Sequence, residues 1–514
     1  MVETAVEPAP RRDRRAWRPV ALRLAGALAS GVVFYLSFAP RPLWWLAPLA
    51  FTGLALVLHR RRFWGGLGYG FVFGLGFFVP LLTWLQHFLG PQFGPYPWLA
   101  LSATLALYLG LCGGLITWVS RLPGAPVWAA LVVVAMETPR TWFPFGGFPW
   151  GRVAFSQPEG AFLPLASVGG APLVGFAVVL CGFGLAALVR RPRLVPVLAT
   201  VVPVVAGLAL WPAIGTDAQN GTRTVAAVQG NAPDVGLDLQ GRRGELRANH
   251  LAETERLLAD VRAGRVPKPD LVVWPESATD VRGDDPRLDR LAADFGVPFL
   301  IGALDRVAGK PQNVVYAWDP VTGRGDRYAK QQLVPFGEYI PAREIARLVT
   351  PFVDDTGDML PGTGEPPALR VGGITVGAFI CYEAAFDYPA RDAVLAGAQL
   401  LVAPTNNAWY GPGEMSYQQL AMSRLRAVEH GRAVIVPATS GVSAVIRPDG
   451  SVASSTGLFT AASLVETVPL RSTTTLADRL GPWTEYTLLA VAVAAVVTGA
   501  LSLRGPGRTR RRLD

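Results

Sequence analysis

The stretch "GGITVGAFICYEA" (372–384) decides how the second half of this chain folds. Small and β-branched residues run up to Ile380 in the pattern of a strand, and a sharp element begins at Cys381. "AQLLVAPTNNAW" (398–409) repeats that shape, and "DLVVWPES" (270–277) is a buried strand that runs into a loop. "TRTVAAVQGN" (222–231) and "VPFLIGAL" (297–304) add strands, and "GELRANHLAETERLLADVRAG" (244–264) reads as an amphipathic helix. "QNVVYAWDPVTGRGDRYAK" (312–330) and "SAVIRPDGSVASS" (443–455) each carry a turn signal between strand-like halves. Strands alternating with helices and hairpins predict an α/β region with a mixed sheet over 216–480.

Outward from that region the composition changes. The 514 residues are 51% hydrophobic with 15 tryptophans, and the mean hydropathy is +0.32. So apolar a chain points to a membrane protein with a sizeable soluble part. Seven apolar runs fill residues 1–215, near 20–37, 44–58, 64–86, 97–119, 125–137, 160–189 and 194–212. An eighth, near 484–503, lies in the closing segment 481–514. The second and fifth are short for a span of about 20 residues. The predicted architecture is therefore a polytopic α-helical membrane protein of about eight spans, carrying the α/β domain between the seventh and eighth.

The formal charge of +9 does not point to nucleic acid, because the arginines cluster at both termini and between apolar runs. Seventeen of them fall in segments on one side of the predicted spans: Arg11, Arg12, Arg14, Arg15 and Arg18, then Arg60 to Arg62, Arg121, Arg190, Arg191 and Arg193, and five in the tail. Only Arg41, Arg140 and Arg152 fall on the other. The positive-inside rule then puts both termini in the cytoplasm and the α/β domain outside it. Arg11 to Arg18 lead into a first span, with no small-residue cleavage site of a removable signal after it.

Three positions follow strand-like stretches and so are predicted to emerge at one edge of the sheet: Glu276, Lys330 and Cys381. Together they suit acyl chemistry, with a thiolate to attack, a carboxylate to take its proton and an ammonium to stabilise the developing oxyanion. Each has a plainer reading as a packed thiol, a loop carboxylate or a solvated lysine. Two facts weigh against that. Cys381 is the only cysteine of the α/β region, so no disulfide partner is available there. Lys330 is one of three lysines among 47 basic residues, and a compact ammonium suits an oxyanion better than a guanidinium fork. A Cys–His dyad is the rival, but His250 and His430 sit in helices that read as solvated, away from strand-end motifs. Three cysteines and four scattered histidines give no metal-ligand spacing, and the expected chemistry needs neither metal nor organic cofactor. A final stripe, Ile345, Leu348, Val349 and Phe352, suits a short apolar helix beside the site that dips into the membrane interface; its plainer reading is a face packed on the domain's own core.

"WPES" (274–277), "KQQLVPFGEYIP" (330–341) and "CYEAAF" (381–386) resemble the Glu–Lys–Cys motifs of the nitrilase superfamily. With the apolar runs and "GGFPWGRVAFSQ" (146–157), nearly the whole chain resembles the apolipoprotein N-acyltransferases of bacterial envelopes. The resemblance implies an αββα sandwich and assigns Cys381 as nucleophile, Glu276 as general base and Lys330 as oxyanion stabiliser. It makes Glu338 a second carboxylate and gives Tyr382, Glu383, Asn313 and Trp150 supporting positions. It also implies a bacterial cytoplasmic-membrane protein, expected to be a monomer without nucleic-acid partners. The acyl chain would pass from a phospholipid, phosphatidylethanolamine above all, through a cysteine thioester to the diacylglyceryl-modified N-terminal cysteine of a lipoprotein. A membrane-anchored amidase and a transporter are the alternatives. Eight spans are excessive for an anchor, and charges inside the spans are too rare for a transporter.

Overall fold

The computed structural model describes residues 18–89, 94–232, 242–281, 283–347, 353, 357–364 and 367–503. The apolar runs fold into helices α1 (Arg18–Leu36), α2 (Leu46–Leu58), α3 (Phe63–Leu81), the short α4 (Leu85–Leu89), α5 (Tyr96–Val119), α6 (Ala125–Ala135), the single turn α7 (Glu137–Arg140), α8 (Ala166–Arg190) and α9 (Leu194–Leu210). The last helix, α16 (Trp483–Leu501), follows the α/β region. Among the described residues six helices are long and apolar enough to cross a bilayer, and α2 and α6 fall short with 13 and 11 residues.

These two still connect the same two levels as their longer neighbours. At the end of α2, Arg23 of α1 donates to Val57 O at 2.6 Å, and Arg190 of α8 donates to Ala55 O. At its start, Arg41 pairs with Glu414 of the α/β region at 2.5 Å. Likewise α6 follows the Arg121 loop and ends beside Glu137, whose carboxylate accepts from Val153 N at 2.7 Å.

Small residues let the helices meet closely. A Cβ on Gly66 or Gly70 of α3 would lie 2.4 or 2.3 Å from backbone oxygens of α5, and one on Gly74 would strike Ala106. Glycines four apart form one stripe on α3, so backbone meets backbone where a larger residue would hold the helices apart.

The α/β region contains two sheets where strand patterns alone suggested one. The first is ordered β13 (Ala462–Pro469), β1 (Thr222–Gln229), β2 (Leu271–Val273), β4 (Phe299–Val307), β5 (Lys310–Asp319), β6 (Gly323–Ala329), with β3 (Thr279–Asp280) paired to β4. The second is β12 (Val452–Ser455), β11 (Ala444–Ile446), β10 (Val434–Val436), β9 (Leu400–Val402), β8 (Ile374–Ala378), β7 (Ala368–Val371). Alternate residues of the strands face opposite ways. Val225 and Ala227 of β1 share a core with Val376 and Leu400 of the second sheet. Ala226 and Val228 pack outward against α10 (Arg243–Arg262) and α11 (Pro286–Phe295). On the far side the second sheet is covered by α13 (Tyr388–Leu395) and α14 (Met415–His430), giving the αββα sandwich. That outer layer is largely covered in turn: α14 is buried along nearly its whole length, while α13 ends exposed at Leu395. Val394, Met422 and Leu425 lie in one continuous core with Phe77, Phe78 and Val174 of the spanning helices.

Candidate active site

Glu276, Lys330 and Cys381 lie at the ends of β2, β6 and β8, and the sandwich brings them together. Lys330 is almost completely buried, and its Nζ donates to Glu276 Oε1 at 2.9 Å and to Glu338 Oε1 at 2.8 Å. An ammonium has three donors, and the third N–H of Lys330 has no protein partner among the described residues. Burial alone would lower the Lys330 pKa, but the two carboxylates outweigh it and hold the group well above its ordinary value. Asn313 on β5 donates to Glu276 Oε1 at 2.6 Å and to Glu338 Oε1 at 3.3 Å. The other oxygen of Glu276 accepts from Asn406 N at 2.8 Å, and that of Glu338 from Val334 N. Both carboxylates are thereby fixed in orientation.

Cys381 begins the 3₁₀ turn Cys381–Ala385 with a φ of 50°, in the left-handed region that a non-glycine residue rarely adopts. Its N–H donates to Pro404 O at 3.0 Å, pinning the bend to the end of β9. Such strain is a mark of functional positions. Burial, and next the negative charge of Glu276, push the thiol up to about 12, while Lys330 pulls against them. The resting group is therefore a neutral thiol with a carboxylate and an ammonium acting on it.

Glu383 is not beside the thiol as a base. Its carboxylate turns back to accept from Ile380 N at 2.6 Å and from Gln331 N and Gln332 N at 2.7 and 3.1 Å, and Tyr328 Oη donates to it at 3.0 Å. It ties the Cys381 turn to the Lys330 loop, and burial raises it to about 7 against those hydrogen bonds. Tyr382 reaches toward the membrane segment, its Oη donating to Gly147 O at 3.0 Å and its ring 6.0 Å from that of Phe148. Trp150 sits behind this layer. Its Nε1 donates to Gln418 Oε1 at 2.7 Å, and it packs on Trp84, which in turn meets Tyr410.

Sequence reading missed Asn406, Tyr410 and Gln418. The first two follow "LLVAPT", whose likeness to the Cys381 strand end was the available signal. Gln418 lies mid-helix, and nothing local marks it. The histidines are also corrected. His250 and His430 are buried rather than solvated, and burial lowers His250 to about 4. Its Nδ1 bonds Leu246 O, while His430 bonds Asp478. Neither of the two contributes to the surroundings of Cys381. Of the apolar stripe, Ile345 is exposed on the short α12 (Arg343–Arg347), which excludes the packed-core reading for that residue. Leu348, Val349 and Phe352 lie outside the described residues. No cluster of three potential metal ligands occurs among the described residues.

Residues 30–184 match the family model for the apolipoprotein N-acyltransferase N-terminal domain, and residues 224–478 match that for carbon–nitrogen hydrolases. The apolipoprotein N-acyltransferase of Mycolicibacterium smegmatis is 41% identical over 518 residues, covering 93% of this chain and 85% of that one. Those of Azotobacter vinelandii and Pseudomonas putida are 34% and 32% identical, each over 87% of this chain and covering 90% and 91% of their own length. With two buried carboxylates on one lysine beside a strained cysteine, under a layer of spanning helices, the chain belongs to the apolipoprotein N-acyltransferase family.

Proposed function

We propose that this protein transfers a fatty acyl chain from a phospholipid to the N-terminal amine of a diacylglyceryl-modified lipoprotein, by a two-step route through Cys381. The observation that carries the reading is the single ammonium of Lys330 held between Glu276 and Glu338 next to a buried thiol. In the first step the Cys381 Sγ attacks the ester carbonyl as Glu276 takes the thiol proton. The free N–H of Lys330 meets the oxyanion, the C–O bond breaks, and the proton passes to the departing lysophospholipid oxygen. In the second step the lipoprotein amine attacks the thioester. A C–N bond forms, the C–S bond breaks, and the amine's proton returns through Glu276 to the sulfur.

Glu338 and Asn313 hold Glu276 and Lys330 in register, Glu383 holds the Cys381 turn, and Tyr382 and Trp150 link the site to the 146–157 loop. Phosphatidylethanolamine is the proposed donor. The protein is proposed to work as a monomer in the cytoplasmic membrane, its domain of residues 216–480 facing away from the cytoplasm. Intact-mass analysis after incubation with phospholipid tests the reading. We expect one acyl-sized adduct, absent in Cys381→Ala and discharged by a diacylglyceryl peptide with a free amine but not by the same peptide acetylated. Discharge by water at an equal rate would make the protein a hydrolase.

A further inference from the structure

Between the spanning helices and α13–α14 lies a cavity of about 550 Å³. Its lining includes Gly170, Phe386, Glu429, His430, Pro482 and Glu485, and none of Glu276, Lys330 or Cys381. At Gly170 the start of α8 breaks from helical geometry, with φ 66° and ψ −167°. A Cβ there would lie 2.5 Å from Glu429 Oε1, so only glycine leaves that carboxylate its place.

The lining carries the guanidinium groups of Arg152 and Arg391 as well as carboxylates and an imidazole. His430, 1% exposed, holds Asp478 Oδ1 through Nδ1 at 2.6 Å. Burial opposes ionisation of Asp478, but the His430 bond and the Thr475 hydrogen bonds outweigh it and keep the group below the usual carboxylate range. Asp478 is then an acceptor only, so Nδ1 of His430 carries the hydrogen that meets it and Nε2 is left over. That Nε2 has no hydrogen-bond partner among the described residues and stands 3.8 Å from Glu429 Oε2. Glu485, at the start of α16, accepts from Thr138 Oγ1 at 2.7 Å and offers a further carboxylate. The carboxylates of Glu429, whose Oε2 also takes Arg426 Nη1, and of Glu485 thus converge on the cavity beside the unpartnered His430 Nε2, and a group with several N–H donors would join them.

We propose that this cavity binds the primary ammonium head group of an aminophospholipid, at a site separate from that of acyl transfer. The surroundings favour a lipid over a peptide amine. The cavity lies where α8 and α16 begin, the level at which head groups meet a span. Trp142 and Tyr486 of its lining and the neighbouring Trp483 are 66%, 40% and 68% exposed, an aromatic fringe of the kind found at bilayer interfaces. Arg391, also in the lining and a quarter exposed, is placed to meet the phosphate. Occupancy would reach the nucleophile turn through the cavity wall. Asp387 receives Arg152 at 2.8 Å and Arg426 at 2.7 Å, and Arg426 Nε donates to Ala384 O.

The test uses full-length Cys381→Ala protein in detergent with a photoreactive ethanolamine phospholipid, followed by peptide mapping. Adducts are expected on residues 386–391 and 477–486, independently of those on 333–340 that the proposed acyl-transfer site would give; Gln332 itself lines the cavity. Glu485→Gln should lower the first set at least tenfold and leave the second unchanged, which also reports an intact fold; Glu429→Gln should do the same. A choline phospholipid, which has no N–H, should label 386–391 and 477–486 at least tenfold less. Equal labelling by the choline lipid, or no adduct on these segments whatever is seen on 333–340, overturns the proposal. So does protection of these segments by an acceptor peptide's free amine but not by excess ethanolamine lipid, which would assign the cavity to the peptide.

Discussion

As the proposed nucleophile Cys381 is unusual, because burial and Glu276 outweigh the groups around it that lower its pKa. With the thiol held near 12 by burial and by Glu276, the thiolate fraction is minute at neutral pH and rises about tenfold per pH unit. Alkylation of Cys381 by a small water-soluble reagent should therefore climb through pH 9 without levelling; a plateau between pH 6 and 8 would mean a thiolate formed in advance. The proton must instead leave during attack, so Glu276→Gln should remove acyl-enzyme formation almost fully while the fold persists. Lys330→Arg should fail too, since a planar fork is too large to replace a compact ammonium in so tight a buried site. Loss of one such donor typically slows a reaction ~10²–10³-fold, and a variant keeping a large share of activity would remove Lys330 from the mechanism. These three residues were legible because each ends a strand pattern a few residues long. The direction in which Glu383 turns was not legible, since it depends on backbone N–H groups some fifty residues away at Gln331 and Gln332.

Among the elements, the α3–α5 contact depends on residues with no side chain to spare. Gly70→Leu should force the helices apart, an overpacking of roughly 1–3 kcal/mol, visible as lower yield and a melting point reduced by a few degrees in detergent. A melting point unchanged from wild type would mean that the pair meets less closely. The short α12 poses a different question. Its exposed Ile345 suits an element that rests on lipid beside the Glu338 loop, and Ile345→Glu should leave thiol alkylation unchanged while slowing acylation by phospholipid. Equal rates with both reagents would show that α12 plays no part in lipid access. The lengths of α2 and α6 were only partly legible. Hydropathy marks an apolar run, but the turn at Trp44–Trp45 and the ion-paired end at Glu137 trim the helices inside it.

At the scale of the whole molecule, the three arginines that break the charge asymmetry all have structural work on the α/β side. Arg41 pairs with Glu414 and Arg152 with Asp387, and Arg140 is buried over the Phe78 ring. With these set aside, the remaining asymmetry supports an extracytoplasmic domain. Val321→Cys, at a position 89% exposed, should react with a membrane-impermeant thiol reagent in intact spheroplasts, in a Cys381→Ala background. Labelling only after lysis would reverse the orientation. The change of composition near residue 216 was plain, but the contacts across it were not, because they are made by pairings such as Gln418 with Trp84, Trp150 and Leu81 O that join residues hundreds of positions apart. The shared core behind those contacts has a consequence for how the protein is made and inherited. A fragment of residues 216–480 would leave α14 without the spanning helix α8 that packs on it, and should collect in inclusion bodies however sound its sheets are. The spans thus act as a built-in chaperone for the sandwich, and neither half is free to be exchanged between genes without the other.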